Sequence, residues 1–459
     1  MRPSQLYGSA YLASQLRGQS RYPFRPLTAV LADQSRRVRA MVAYAYRYVP
    51  FYRETLDRLG LRPQDFRTAR DLERLPVIET EAYQRDPDRF LSTAQPREAY
   101  LAIRTSGSSG HPRTLYHDWR GVAQNAAHAE RDRALVADLL GHPRSYRETV
   151  IKRTPESSTP HLVQQMLRRH VWFPTRMGIE RQYLRTLDPL ETIVAQLNEF
   201  RPHVLHVNGS YLALFFGYLH RTGAACHLPR VLTYGSEGAS ETIRRLIMDE
   251  FGVPVLSAYQ TTEAFKLGFE CDQHVGYHLN LDLYPLRLVN SEGQAVPDGE
   301  TGEVVISNLV NRATVLLNYR LNDLAHLIPE PCPCGRTLPL LSFLQGRGRD
   351  FLDLGSGRVL HPALVDGLFT NQEGIWQYQV VQKSRSQLAV AVLVAPGVNQ
   401  EGVRSKLLTG FREACGEGVT IEIAFVDRIP STPGGKVPPV VGLSPDTNEP
   451  TTATGAQLS

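Results

Sequence analysis

The sequence predicts an α/β protein with a large N-terminal α/β domain, a β-rich subregion inside it, and a small α+β C-terminal domain. Three observations carry that reading. Between 184 and 259, short apolar strands alternate with amphipathic helices, the pattern of a largely parallel sheet. After Leu281 the chain turns to short β-rich runs separated by turn residues. Past a Gly/Arg-rich stretch at 346–358, a further run of strands and one helix begins. The boundaries expected are 1–345 for the large domain, 346–440 for the small one and 441–459 for a polar, disordered tail.

The elements follow in order. "TAVLADQSRRVRAMVAYAYRY" (28–48) is apolar at helical spacing, and "VPFYRETLDRLGL" (49–61) reads as a second helix. "AYLAI" is a strand that ends in the Gly/Ser loop described below. The stretch 184–200 reads as a helix closed by the buried strand "RPHVLHV". Next come the helix "GSYLALFFGYLHRTG", the strand "RVLTYG", the helix "SETIRRLIMDEFG" and the strand "VPVLSAY". "YPLRLVN", "GEVVISNL" and "TVLLNYRL" form the antiparallel or barrel-like subregion. In the small domain, "WQYQVVQ", "LAVAVLVA" and "TIEIAFVDRI" are strands and "VRSKLLTGFREAC" is a helix.

Composition excludes several classes. The chain has 459 residues, 42% hydrophobic and 21% charged, as in ordinary soluble proteins. Its formal net charge of +5 is spread without a Lys/Arg block, which argues against nucleic acid as a partner and suits a polyanionic ligand. No apolar run approaches the length of a membrane span, so neither membrane insertion nor a membrane partner is expected. The Arg-rich opening lacks the apolar core of a secretion signal, and a cytoplasmic location is the expectation. Five cysteines (Cys226, Cys271, Cys332, Cys334 and Cys415) are too few and too uneven for a disulfide framework.

The chemistry is concentrated in loops. "RTSGSSGHPR" places Thr105, Ser106, Gly107, Ser108, Ser109 and Gly110 directly after a strand. Hydroxyls and open backbone N–H groups together are what wraps a phosphate. The loop is not a Walker motif, and alone it would equally suit a surface turn. "YQTTE" (259–263) follows "VPVLSA", at the sheet's carboxyl edge where α/β proteins bind ligands. There Tyr259 suits stacking on a base, Thr262 suits a phosphate and Glu263 suits Mg²⁺. "YGSEGAS" brings Gly235, Ser236 and Glu237 to a second strand end, where backbone can approach a flat ring. Asp323 and Arg347 suit ribose hydroxyls, and Lys436 sits in the Gly/Pro loop "STPGGKVPP".

Taken in order, these pieces and "GETGEVV" resemble the adenylate-forming superfamily of acyl–CoA ligases. "VPFYRETLDRLGLRPQDFRTARDLERLPVI" and "PCPCGRTLP" are similar to its phenylacetate–CoA ligase-like branch, and the resemblance spans roughly 45–440. It implies an adenylate-forming fold whose small domain is mobile, and an AMP-forming acid–thiol ligase. Such an enzyme activates a carboxylic acid, aromatic or arylacetic in this branch, to an acyl-adenylate with release of pyrophosphate. The acyl group then passes to CoA. Two alternatives stand beside it: the same adenylation with an amine or carrier-protein thiol as acceptor in a biosynthetic ligase, and a non-catalytic nucleotide-binding scaffold.

The resemblance also implies roles. Residues 105–110 would surround the β- and γ-phosphates of ATP, while Gly235, Ser236, Glu237 and Tyr259 would bind adenine. Thr262 would meet the α-phosphate, Glu263 the Mg²⁺, and Asp323 with Arg347 the ribose. Asp350 would lie near the hinge and Lys436 would be the catalytic lysine that swings with the small domain. Three departures stand out: Pro112-Arg113 where the family often has Pro-Lys, "LND" in place of "TGD", and "GRGRD" at the hinge.

A second constellation joins Cys271, with His274 or His278, to Cys332 and Cys334 in "PCPCG". Three thiolates and one imidazole make a tetrahedral structural zinc site. Spacing in the resembling branch favours His278. The expected cofactors and partners are therefore ATP, Mg²⁺, a structural Zn²⁺, CoA or another acceptor, and a small carboxylic acid, with a homodimer left open.

Overall fold

The structure, a computed structural model, describes residues 3–105, 113–142, 145–154, 158–172, 178–235, 238–344, 351–355, 358–360, 362–370, 372, 374–416, 418–430 and 437–443. Ser106, Gly107, Ser108, Ser109, Gly110, Ser236, Glu237, Arg347, Asp350 and Lys436 lie outside the described residues.

Among the described residues, nine strands form the central sheet. Its parallel half runs Val255–Thr261, Val231–Gly235, Val204–Asn208, Ser145–Lys152 and Gly178–Arg185. Helices Gly209–Thr222 and Glu241–Glu250 join the strands and bury Leu212, Phe215, Phe216, Ile243 and Ile247 against one face. Those side chains recur at helical spacing, so burying one stripe fixes each helix's rotation. Continuous apolar strands such as "VLHV" suit a parallel layer covered on both sides.

Two readings are corrected. The stretch 184–200 is not one helix: Leu184 and Arg185 end the edge strand, and the helix is Leu190–Phe200. Asp188-Pro189 disfavours continuous helix there, because proline pushes the preceding residue out of the α region. The antiparallel texture also begins before Leu281. Phe265–Glu270 already pairs antiparallel with Val255–Thr261, and Tyr277–Leu279, Leu340–Leu341 and Leu327–Ile328 extend the same sheet.

The expected β-rich subregion is a three-stranded antiparallel sheet of Leu286–Val289, Gly302–Ile306 and Tyr319–Ala325. Its Val304 and Ile306 share a core with Tyr259, Ala264 and Leu267, which fixes the segment after the "YQTTE" strand. Helices Leu27–Tyr48 and Pro50–Arg58 match the first two readings, the second ending earlier, and pack on Leu316, Leu317 and Tyr319.

Near the C-terminus, four strands in the order Thr420–Phe425, Gln387–Val394, Ile375–Ser384 and Val440–Val441 pack with helices Pro362–Thr370 and Gln400–Cys415 around a core of their own. This is the small α+β domain expected. No helix among the described residues is long and apolar enough to cross a membrane.

Candidate active site and metal centre

The Gly/Ser loop hangs from a hairpin. Strands Leu101–Arg104 and Thr114–His117 pair antiparallel, with Arg104 opposite Thr114. At the neck, Thr105 N–H donates to the Arg113 carbonyl at 2.8 Å, and Arg113 N–H donates to Thr105 Oγ1 at 2.9 Å. Thr105 thus closes the loop's base with both backbone and hydroxyl.

Arg113 points back into the sheet edge. Its guanidinium lies 3.4 Å from the Glu263 carboxylate and donates to the Tyr319 hydroxyl. Tyr319 Oη in turn lies 3.2 Å from Thr80 Oγ1. Glu263 is only 7% exposed, and its carbonyl accepts from Asn308 Nδ2 at 2.7 Å. A buried carboxylate is tolerated only with a cation or donors nearby, and Arg113 is that cation among the described residues.

The turn after "YQTTE" is strained. Phe265 has φ of 53°, which a bulky side chain rarely adopts. Behind the turn, the His117 ring is hydrogen-bonded to the Thr262 backbone and packs against Phe265 with centroids 4.5 Å apart and planes tilted by 37°. Burial pushes the imidazole down to about 3, so His117 is a neutral prop under Thr262. Neither His117 nor Tyr319 was assigned to the site from sequence; the strand "TLYH" opposite "LAIR" is the signal that could have placed His117.

The base- and ribose-binding candidates meet directly. Tyr259 Oη donates to Asp323 Oδ2 at 2.7 Å, with Tyr259 3% and Asp323 7% exposed. Asn322, which stands where the family pattern has glycine, has φ of 62°. Asparagine is among the few non-glycine residues that accept this left-handed region, so "LND" keeps the backbone that "TGD" would have. Gly235 ends the strand that pairs with the Tyr259 strand, in register with Ala258.

The cysteine cluster assembles as expected. Donor atoms of Cys271, His278, Cys332 and Cys334 all lie within 4.8 Å of one another. The Cys271 and Cys332 sulfurs are 3.6 Å apart, and Cys334 Sγ is 3.3 Å from His278 Nε2. A tetrahedral zinc with Zn–S near ~2.3 Å requires sulfurs about 3.8 Å apart, so the donor set fits that ion. His278 Nδ1 faces the Leu338 carbonyl at 3.3 Å, which leaves Nε2 as the ligating lone pair, and burial holds the ring neutral with a pKa of about 4. His274 is excluded: its Nδ1 is 2.6 Å from the Glu270 carboxylate, which also takes Arg244 and the Ser257 N–H. Arg244 reaches Tyr234 Oη at 2.8 Å, so this buried network links the metal hairpin to the strand that ends in Gly235.

Comparison with known proteins places the fold. Residues 356–442 match the family model of the CapK C-terminal domain. The chain is 27% identical over 387 residues to the phenylacetate–coenzyme A ligase of Thermus thermophilus, covering 80% of this chain and 81% of that one. It is 25% identical over 381 residues to the Escherichia coli phenylacetate–coenzyme A ligase, covering 78% and 80%. Among solved structures, 2-hydroxyisobutyryl-CoA ligase in the postadenylation state superposes with a TM-score of 0.70 at 18% identity, covering 90% of this chain and 89% of that one. The fold is that of the adenylate-forming acyl–CoA ligases. The relatives this chain resembles include several phenylacetate–CoA ligases, and the resemblance read from the motifs holds.

Proposed function

We propose that this chain activates a carboxylic acid with ATP, releasing pyrophosphate, and transfers the acyl group from the adenylate to CoA with release of AMP. The observation that carries this is the convergence of Thr262 and Glu263, backed by Arg113, with the Tyr259–Asp323 pair at one sheet edge. The similarity to phenylacetate–CoA ligases over four-fifths of the chain supports an aromatic or arylacetic acid.

A carboxylate attacking the α-phosphorus brings two anions together, so cations must sit where charge accumulates. Glu263, fixed by its buried carbonyl and by Arg113, would hold Mg²⁺, which when bound neutralises phosphate charge. Arg113 keeps the carboxylate oriented. Thr262, propped by His117, presents its hydroxyl to the α-phosphate, and Asp323 accepts from the ribose. The Gly/Ser loop, with Gly235, Ser236, Glu237 and Arg347, completes the nucleotide site in this reading. Lys436 supplies the second cation from the small domain, with Asp350 at the hinge and the domain boundary near 346. Cys271, His278, Cys332 and Cys334 would hold a structural zinc that staples the antiparallel half of the sheet.

A second reading keeps the adenylation and changes the acceptor to an amine or a carrier-protein thiol. It is favoured by one observation: residues 356–442 match the family model of the CapK C-terminal domain, and not one named for a CoA ligase. Acid-dependent exchange of labelled pyrophosphate into ATP across a panel of acids tests the first half. AMP formation with CoA against amines then decides the acceptor. Lys436→Ala is expected to abolish exchange while sparing thioester formation from supplied acyl-adenylate; equal loss of both contradicts the two-position role of the lysine.

A further inference from the structure

Trp376 opens the strand Ile375–Ser384 of the small domain, yet its side chain is buried in the core of the large one. It is 2% exposed and packs with Phe215, Phe216, Ile243 and Ile247 in that cluster. The notch that receives it is made by one helix face. A Cβ at Gly217 would stand 2.7 Å from the indole, so only glycine leaves the ring its place. One turn on, His220 meets the indole edge-on at 5.6 Å. From the next helix, Ser240 Oγ donates to the Trp376 carbonyl at 2.6 Å and accepts from Ile243 N–H at 3.3 Å, so the cap of that helix also holds the incoming strand.

The same strand carries the chain that follows Lys436. Three residues beyond Trp376, about 10 Å along a strand, Gln379 Nε2 donates to the Pro438 carbonyl at 3.1 Å. Val380 N–H donates to the Pro439 carbonyl at 2.8 Å, and Val440–Val441 then pairs parallel to the strand. Val437 lines the cleft between the domains together with Asn208, Ser210 and Tyr211 of the large one. Seating the indole therefore sets where Val437 and the residues after it meet the large domain.

We infer that Trp376 is a positioning residue for the adenylation step, acting through its strand on the residues that follow Lys436, and that its seat against Gly217 must open for the small domain to turn. This rests on the adenylation reading. The test uses the full chain with two substitutions approaching the contact from opposite sides, Trp376→Ala and Gly217→Ala, and Trp376→Phe as the conservative variant. Pyrophosphate exchange is expected to fall by about 10- to 100-fold in both alanine variants, in kcat and not in KM for ATP. Thioester formation from supplied acyl-adenylate should hold or rise, and Trp376→Phe should recover most of the exchange. Gly217→Ala should also red-shift tryptophan emission as the indole leaves its pocket. Equal loss of both half-reactions, or no loss of exchange, overturns the positioning role. No red shift in Gly217→Ala overturns the seat itself. A wild-type chain that exchanges with no acid overturns the adenylation reading and the role with it, while the emission shift still decides the seat.

Discussion

Arg113 holds its guanidinium 3.4 Å from the carboxylate of Glu263 and donates to the hydroxyl of Tyr319. The first residue described after the Gly/Ser loop is therefore tied to the last residue of "YQTTE", across the mouth of the site. Arginine carries the same charge as lysine, and here it reaches both Glu263 and Tyr319. Arg113→Ala should lower pyrophosphate exchange by about 10²-fold and raise the Mg²⁺ concentration needed for half-maximal rate. Arg113→Lys should restore most of the rate. An Mg²⁺ titration unchanged in Arg113→Ala would remove Arg113 from the site.

The Tyr259–Asp323 bond predicts a binding defect more than a chemical one. A hydrogen bond to a charged group contributes about 1.5–3 kcal/mol. Tyr259→Phe should raise KM for ATP by roughly tenfold and leave kcat nearly unchanged. Asp323→Asn should do the same, and the double variant should be less than additive, since both remove one contact. Strict additivity would show that the pair does not act together.

His117 predicts acid sensitivity. Burial lowers its pKa to about 3 in the folded chain, against 6.5 when unfolded. Between those values the unfolded chain binds a proton that the folded chain does not. Stability is therefore complete above the unfolded value and falls with pH below it, by up to about 1.4 kcal/mol per pH unit. Burial depresses His128 and His206 in the same direction. Urea unfolding at pH 7, 6 and 5 should show the decline, with a shallower slope in His117→Leu; identical slopes would contradict it.

For the metal centre, elemental analysis should find about one zinc per chain. His278→Ala and Cys332→Ser should lose the metal and melt at lower temperature, while His274→Ala keeps it. A strong chelator should lower the melting temperature of the wild type and of His274→Ala, and leave that of His278→Ala and Cys332→Ser unchanged. A folded, metal-free wild-type chain ends the zinc reading.

Much of this was legible in the sequence because its signals are local. Strand-then-glycine punctuation located the sheet edge, although the strand Val255–Thr261 runs on through Tyr259, Gln260 and Thr261, so only Thr262 and Glu263 of "YQTTE" follow it. "PCPCG" declared ligands because two cysteines so close can share one ion. Other features were not legible. The 184–200 stretch misled because Leu184 continues the helical apolar spacing while its backbone belongs to an edge strand. His117 looked like any lone histidine, since its partner Thr262 is far along the chain and meets it only where the hairpin docks.

The sequence by itself determined which side chains this protein owns and in what order: a Gly/Ser-rich loop, Tyr259, Thr262 and Glu263 after a strand, Asp323, and three cysteines with a nearby histidine. Residue type and short spacing encode these without reference to distant segments. Only the tertiary structure decided which groups face one another. It chose His278 over His274 because Glu270 and Arg244 claim the latter. It paired Arg113 with Glu263 and Tyr259 with Asp323, and it seated Trp376 of the small domain in a notch at Gly217 of the large one. These pairings join residues far apart in the chain, and packing the sheet and its helices into one volume is what sets them.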